Sequence, residues 1–114
     1  MNDYSGRKLS IVIPVYNEER TIEVLLGKVA AVKLPFKKEI IIVNDGSKDA
    51  SAEIIKKFIS ANSSDENEFR FFEKANGGKG SAVKRGIAES TGDVLIIQDA
   101  DLEYDPNDYL TCVR

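Results

Sequence analysis

Residues Leu9–Val43 read "LSIVIPVYNEERTIEVLLGKVAAVKLPFKKEIIIV", and the hydrophobic period changes twice along them. "LSIVIPV" from Leu9 and "EIIIV" from Glu39 are short runs rich in β-branched residues, which suit a pleated strand. Between them Ile22, Leu25, Leu26 and Val29 fall at i, i+3, i+4 and i+7, the spacing of one helix face. Both strand-like runs are nearly continuous in apolar residues, so each is expected to be covered on both faces. A strand, a helix and a second such strand predict a parallel pair joined by a right-handed crossover.

The same alternation continues to the right. "EFRFFE" from Glu68 and "DVLII" from Asp93 are further strand-like runs, and Ile54, Ile55, Phe58 and Ile59 mark a second helix. A third helix is expected from about Gly78 to Ser90, with Ala82, Val83, Gly86 and Ile87 on one side and "STGD" closing it. The order β-α-β-α-β-α-β predicts an α/β domain whose open, mostly parallel sheet is flanked by helices. Residues 1–8, "MNDYSGRK", are polar and patternless and read as a loose leader, leaving 9–114 as the ordered domain. A further helix is expected from about Pro106 through Leu110. Its abrupt end leads us to expect a piece of a longer domain, with an uncovered sheet edge that could pair with a second copy.

Composition removes several functions. The chain has 114 residues, enough for one small domain, and its 16 basic against 19 acidic residues form no basic stripe, so duplex nucleic acid is not an expected partner. Its single cysteine, Cys112, cannot close an internal disulfide, which fits a reducing cytoplasmic setting. The apolar runs around Ile11 and Ile40 are too short to span a bilayer. Histidine is absent, so neither an imidazole metal ligand nor a histidine base is available.

In an open parallel sheet, ligands bind outside the carboxyl ends of the strands. The four strand exits here are "PVYNEE", "NDGSKD", "KANGGKG" and "QDADLEYDP". At the first, Pro14, Tyr16, Asn17 and Glu18 stand where a dinucleotide-binding protein would need a glycine turn. A carboxylate there repels phosphate but can accept from base N–H or ribose hydroxyls, beside the stacking face of Tyr16. The simpler alternative is that Asn17 caps the helix and Glu18 and Glu19 favour its positive end. At the second exit Asp45 is either a further nucleoside acceptor or part of a turn, with Ser47 or Asp49 as helix cap.

The third exit resembles a phosphate loop but is not a Walker motif, because Gly80 follows Lys79 where serine or threonine is required. A glycine-rich helix start with Lys79 can still approach a diphosphate through backbone N–H groups; the alternative is a flexible connection. At the fourth exit Asp99 and Asp101 directly follow a buried strand with same-parity spacing, so both can face one cavity. Hard oxygen donors of this kind suit Mg2+ or Mn2+ carrying substrate phosphates. A calcium loop counted from Asp99 would need glycine and glutamate where Tyr104 and Leu110 stand. A haloacid-dehalogenase-type phosphatase, with Asp99 as nucleophile and Asp101 as acid, would carry this pair after its first strand and not its fourth. Together the exits describe a site for a nucleoside diphosphate, whose metal-neutralised form is a good leaving group.

"SIVIPVYNEERTI", "IIIVNDGSKD" and "NGGKGSAVKRGIAESTGDVLIIQDADLEYDP" closely resemble the amino-terminal half of family 2 glycosyltransferases of GT-A fold, in particular the dolichyl-phosphate mannose synthase and polyprenyl-phosphate hexosyltransferase type. The resemblance covers nearly all of residues 9–108. It implies that Pro14, Tyr16, Glu18, Val43 and Asp45 line a nucleoside pocket. It implies further that Asp99, Ala100, Asp101 and Glu103 surround the sugar diphosphate, with Asp101 and Glu103 as ligands of Mg2+ or Mn2+ and Asp99 near ribose or sugar. The implied reaction is inverting transfer of a hexosyl group from a nucleotide sugar, GDP-mannose-like or UDP-glucose-like, to a polyprenyl phosphate. A saccharide acceptor and a non-catalytic interaction module are the alternatives. In this family the catalytic-base segment and acceptor site belong to the carboxyl-terminal half, so this chain alone is expected to bind nucleotide without completing transfer. A lipid-phosphate acceptor would also bring the full-length protein to the cytoplasmic face of a membrane.

Overall fold

Among the described residues seven elements follow one another as the periodicity predicts: β1 (Lys8–Val15), α1 (Ile22–Ala31), β2 (Lys37–Asp45), α2 (Ser51–Asn62), β3 (Asn67–Lys74), α3 (Lys79–Glu89) and β4 (Val94–Ile97). The structure, a computed structural model, describes residues 7–35 and 37–100. Most of the expected leader, the helix beyond Pro106 and Cys112 lie outside the described residues. Strand β1 begins one residue before the expected start. There Lys8 donates its N–H to Asp93 Oδ2 at 2.9 Å and its carbonyl accepts the Asp93 N–H at 2.8 Å.

All strand pairs are parallel, in the order β3-β2-β1-β4. The chain steps outward from β1 to β3, then α3 carries it back to the opposite side of β1. Right-handed crossovers therefore put α1 and α2 on one face and α3 on the other. The alternation of strand side chains matches this division. Ile11, Ile13, Ile40 and Ile42 pack with Ile22, Leu25, Leu26 and Val29 of α1 and Ile55 of α2, all fully buried. Val12, Ile41 and Val43 turn to the other face and meet Ala82 of α3. Each large aliphatic side chain buried this way contributes about 1.5–3 kcal/mol. The expected burial on both faces holds for β1 and β2, whereas β3 and β4 are the outer strands of the described sheet and are only half-covered.

Helix α3 departs from its expected face. Ala82 and Gly86 are buried, but Val83 is half-buried and Ile87 is 46% exposed. The cause is close approach, since a Cβ on Gly86 would lie 2.3 Å from Val12 Cγ1. A helix this near Val12 meets it through small residues, while farther along Arg85 lies over the Phe72 ring at 4.9 Å and Glu89 pairs with Arg70 at 3.5 Å.

A buried carboxylate sets the start of β4. Glu39, 1% exposed on the α3 face, accepts from Ser10 Oγ (2.7 Å), the Thr91 N–H (2.8 Å) and Thr91 Oγ1 (2.7 Å), with Arg70 Nη1 at 3.4 Å. Ser10 Oγ in turn accepts the Gly92 N–H at 2.8 Å. Burial alone would raise the Glu39 pKa. The hydrogen bonds from Thr91 and Ser10, with the nearby Lys8 charge, outweigh it and hold the carboxyl below its usual range. The turn before β4 is thereby pinned to the sheet, and Val94 enters opposite Leu9.

On the opposite face Lys38 ends α1. It is 4% exposed, and its Nζ donates to the carbonyls of Val29 (2.8 Å), Ala30 (3.0 Å) and Val32 at the helix terminus, where Val29 O also accepts the Val32 N–H at 3.4 Å and Ala30 O also accepts from Asn67 Nδ2 at 3.1 Å. Burial, then the charge of Lys33, lower its pKa from 10.5 to about 8, against an opposing pull from Glu66. Between those values the unfolded chain holds a proton that the folded chain has released, so this residue favours folding increasingly as pH rises through that window. Lys38→Met is expected to lose about 1–2 kcal/mol near neutral pH, because three carbonyls lose a shared charged donor, and to remove that alkaline rise. Urea unfolding at neutral and alkaline pH measures both.

Candidate functional site

Reversal of strand order at β1 leaves a crevice between the carboxyl ends of β1 and β4, the place where open α/β sheets receive ligands. Pro14 helps to open it. Val12 O accepts the Gln98 N–H at 2.9 Å, and Pro14, two residues on, directs its nitrogen the same way but has no proton to extend the ladder. A cleft of about 440 Å3 lies there. It is lined by Pro14, Tyr16 and Glu18 from the first exit, Asp45 from the second, Lys79 from the third, and Asp99 and Ala100 from the fourth. Four exits thus meet in one cavity.

Val43 is placed differently from the other expected nucleoside residues. It is fully buried behind Ala82 and does not line the cleft. Asp101 and Glu103 lie outside the described residues. Conversely Val15, Asn76 and Ala82 line the cleft without having been expected there. Gly78, which also lines it, belongs to the glycine-rich helix start expected to approach a diphosphate through backbone N–H groups, whereas nothing in the sequence pointed to Asn76. Ala82 was legible only as a helix-face residue.

The first two exit loops hold each other. Asn17 adopts φ 54°, a left-handed conformation that asparagine tolerates, and so does not cap α1. Its N–H donates to Ser47 Oγ at 2.9 Å while its Oδ1 accepts the Lys48 N–H at 2.8 Å. The Glu18 N–H reaches Ser51 Oγ at 2.9 Å and the Glu19 N–H reaches Asp49 Oδ2 at 3.2 Å. Ser47 is therefore not a cap either, and Asp49 divides its carboxylate between Glu19 and the Ser51 N–H at the start of α2 (2.9 Å). Burial would raise the Asp49 pKa, but hydrogen bonds from Ser51 and Glu19 hold it below the usual range. Tyr16, 44% exposed, rides on this braced loop with its ring available at the cleft.

The second and third exits are also joined. Asp45 Oδ1 accepts from Lys74 Nζ at 2.7 Å and the Gly77 N–H at 2.9 Å, and Oδ2 accepts the Gly78 N–H at 2.9 Å. Burial would raise its pKa, but these bonds, the Lys74 one foremost, hold it below the usual carboxylate range. The third and fourth exits meet in an ion pair between Lys79 Nζ and Asp99 Oδ1. The fourth is tied back to the first by Thr21, whose hydroxyl lies 2.8 Å from Ala100 O and 3.0 Å from Glu18 Oε2.

The cleft therefore offers an aromatic face and carboxylate acceptors on one side, and a lysine at a helix N-terminus on the other. The second combination favours an anion, the first a neutral hydrogen-bonding ring or sugar. No group of three histidine, cysteine or carboxylate residues able to hold a metal occurs among the described residues. Asp99 contributes an oxygen donor from the acidic run, the kind of ligand that Mg2+ or Mn2+ accepts.

A family model described as "Glycosyl transferase family 2" matches residues 10–114. An undecaprenyl-phosphate 4-deoxy-4-formamido-L-arabinose transferase from Photorhabdus laumondii subsp. laumondii is 39% identical over 111 residues, 95% of this chain and 33% of that protein. Among solved structures, S. aureus TarS in complex with UDP-GlcNAc matches with a TM-score of 0.77 at 25% identity, over 93% of this chain and 30% of that one. The mannosyltransferase PcManGT from Pyrobaculum calidifontis, in complex with GDP-Man and Mn2+, matches with a TM-score of 0.81 at 24% identity, over 91% of this chain and 30% of that one, a likeness of fold. The chain spans about a third of the length of these relatives.

Proposed function

The chain belongs to glycosyl transferase family 2, and on that premise we propose that its cleft binds the nucleoside diphosphate of a nucleotide sugar, whose hexosyl group passes with inversion to a polyprenyl phosphate. The observation that carries this reading is the convergence of all four strand exits on one cleft, with Tyr16 and Glu18 on one side and Lys79 at the α3 N-terminus on the other. The P. laumondii relative is by name an undecaprenyl-phosphate 4-deoxy-4-formamido-L-arabinose transferase, and two of the matching solved structures hold UDP-GlcNAc and GDP-Man. A GDP-mannose-like or UDP-glucose-like donor suits the same arrangement. Residues 9–114 would form the donor half, with the acceptor groups in the remaining length of such proteins.

In the proposed reaction a phosphate oxygen of the acceptor forms a bond to the anomeric carbon as the bond to the donor diphosphate breaks, its electron pair leaving on the nucleoside diphosphate. The acceptor oxygen is already anionic near neutral pH, so no carboxylate base is required. Tyr16 supplies a stacking face, Pro14 and Glu18 border the nucleoside, and Asp99 and Ala100 border the ribose or sugar. Lys79 and the first amides of α3 stabilise charge on the leaving group. Asp101 and Glu103 are the residues assigned to Mg2+ or Mn2+, which when bound neutralises the diphosphate. No helix among the described residues is long and apolar enough to cross a membrane, and a lipid-phosphate acceptor would bring the full-length protein to the cytoplasmic membrane surface.

Calorimetry with GDP and with UDP, each with and without Mn2+, tests the reading. One nucleotide is expected to bind, about tenfold tighter with the metal, and Asp101→Asn is expected to lose that metal-dependent gain. Failure of both nucleotides to bind would sink the proposal, as would a phosphoaspartate formed at Asp99. The chain alone is expected to transfer no sugar; turnover by it would refute the donor-half assignment.

A further inference from the structure

We propose that Thr21 is a positioning residue, whose hydroxyl fixes the backbone of the fourth exit at Ala100 and so presets the acidic run for a metal-bearing diphosphate. This inference rests on the nucleotide reading above. Thr21 stands at the N-cap of α1, where a threonine side chain ordinarily accepts an N–H of the first turn. It makes no such bond. Its hydroxyl turns instead to a residue 79 positions away, donating toward Ala100 O at 2.8 Å. Glu18 Oε2 at 3.0 Å and Glu18 O at 3.4 Å compete for the same proton. A hydroxyl has one proton, so burial decides which acceptor depends on it. The Glu18 carbonyl already accepts the Thr21 N–H at 3.1 Å and the Ile22 N–H at 2.9 Å. The Glu18 carboxylate borders the cleft, where water or a ligand can satisfy it. Ala100 is 5% exposed, and a carbonyl so sheltered loses most when its donor goes.

The fourth exit needs such a tie. Its ladder to β1 reaches Gln98, whose N–H goes to Val12 O at 2.9 Å, and Pro14 has no proton with which to extend it. Beyond that point Asp99 meets Lys79 through partly exposed side chains. The proposed reaction draws Lys79 to the diphosphate, and that pair is then given up. The Thr21 bond holds backbone and survives the exchange. Ala100 lines the cleft, and the next residue in the chain is Asp101, assigned above to Mg2+ or Mn2+. Because a peptide unit is planar, a bond that fixes the Ala100 carbonyl fixes the link into Asp101. Thr21 itself is not among the residues that line the cleft, so its hydroxyl can be removed without deleting a ligand contact.

The test separates metal-dependent from metal-free affinity. Binding of GDP and of UDP, with and without Mn2+, is measured by calorimetry for the wild-type chain, Thr21→Val and Thr21→Ser, with thermal unfolding to confirm that each variant folds. Valine keeps the shape and removes the proton, whereas serine keeps the proton. For the preferred nucleotide, the roughly tenfold gain from Mn2+ is expected to shrink to about twofold in Thr21→Val, the loss of one hydrogen bond, and to persist in Thr21→Ser. Affinity without the metal is expected to stay unchanged in both. Thr21→Ala removes the same proton and keeps the experiment decisive should Thr21→Val fail to fold. A full metal gain in a folded Thr21→Val, or its loss in Thr21→Ser as well, would overturn the inference alone. Equal losses with and without Mn2+ would also overturn it alone, since the hydroxyl would then act through Glu18 on the nucleoside. A wild-type chain that binds a nucleotide but gains nothing from Mn2+ overturns the metal assignment and this inference together. One that binds neither GDP nor UDP overturns the nucleotide reading with them.

Discussion

Glu39→Ala is expected to destabilise the domain by about 3–5 kcal/mol, the usual loss when one member of a buried charged network is removed. The side chain is 1% exposed, and Ser10, Thr91 and Arg70 all direct donors at it. Alanine leaves the Thr91 N–H without its acceptor and opens a void between β2 and the turn before β4. Glu39→Gln keeps the volume and one carbonyl oxygen, so a smaller loss of about 1–3 kcal/mol is expected. The pH dependence has a definite sign. The folded pKa lies below its ordinary 4.5, so the stability that Glu39 contributes is fully present above that value and is lost as pH falls through the folded pKa. Urea denaturation of wild type and Glu39→Ala should therefore give a gap that is constant above pH 4.5 and narrows in stronger acid. A gap that stays constant into strong acid would show that the residue acts through volume and not charge. Because the turn delivers β4 and then Asp99 to the cleft, nucleotide affinity is expected to fall in Glu39→Ala at temperatures where the fold persists.

Gly86→Ala is expected to cost about 2–3 kcal/mol, although alanine is by itself the better helix former by about 1 kcal/mol. The clash wins because its partner cannot move aside. The added Cβ would lie 2.3 Å from Val12 Cγ1 and 3.1 Å from Val12 Cγ2, and a β-branched side chain has few alternative rotamers. Helix α3 would have to lift from the sheet, shifting the N-terminal turn that carries Lys79. Val12→Ala in the same chain should recover part of the loss, with a coupling of about 1–2 kcal/mol in a double-mutant cycle. Additive losses would mean that α3 already has room to move.

Much of the fold was legible because hydrophobic period is a local property. The spacing of Ile22, Leu25, Leu26 and Val29 and the β-branched runs around Ile11 and Ile40 follow from helix and strand geometry, and the buried stripes fall where that geometry puts them. Periodicity failed at α3, where Ile87 was expected inside. Nothing in a periodic pattern reports that Gly86 lets a helix sit directly on Val12. Residue type left Asn17 and Ser47 open, because asparagine and serine suit a helix cap and an inter-loop bridge equally well. Position decided between them, since each found a partner about thirty residues away.

The cleft divides in the same manner. By itself the sequence determined that four parallel strands end in exits rich in acids, glycine and lysine, and that Tyr16, Glu18, Asp45, Lys79 and Asp99 belong to them. Strand polarity is enough for that, because all carboxyl ends of a parallel sheet lie at one edge. Only the tertiary structure decided that β4 joins beside β1, so that Asp99 meets Lys79, and that the Asp45 carboxylate is directed at Gly77, Gly78 and Lys74. A carboxylate takes whichever donors the fold brings within about 3 Å, and that choice is made by strand order and loop packing, not by its neighbours in the chain.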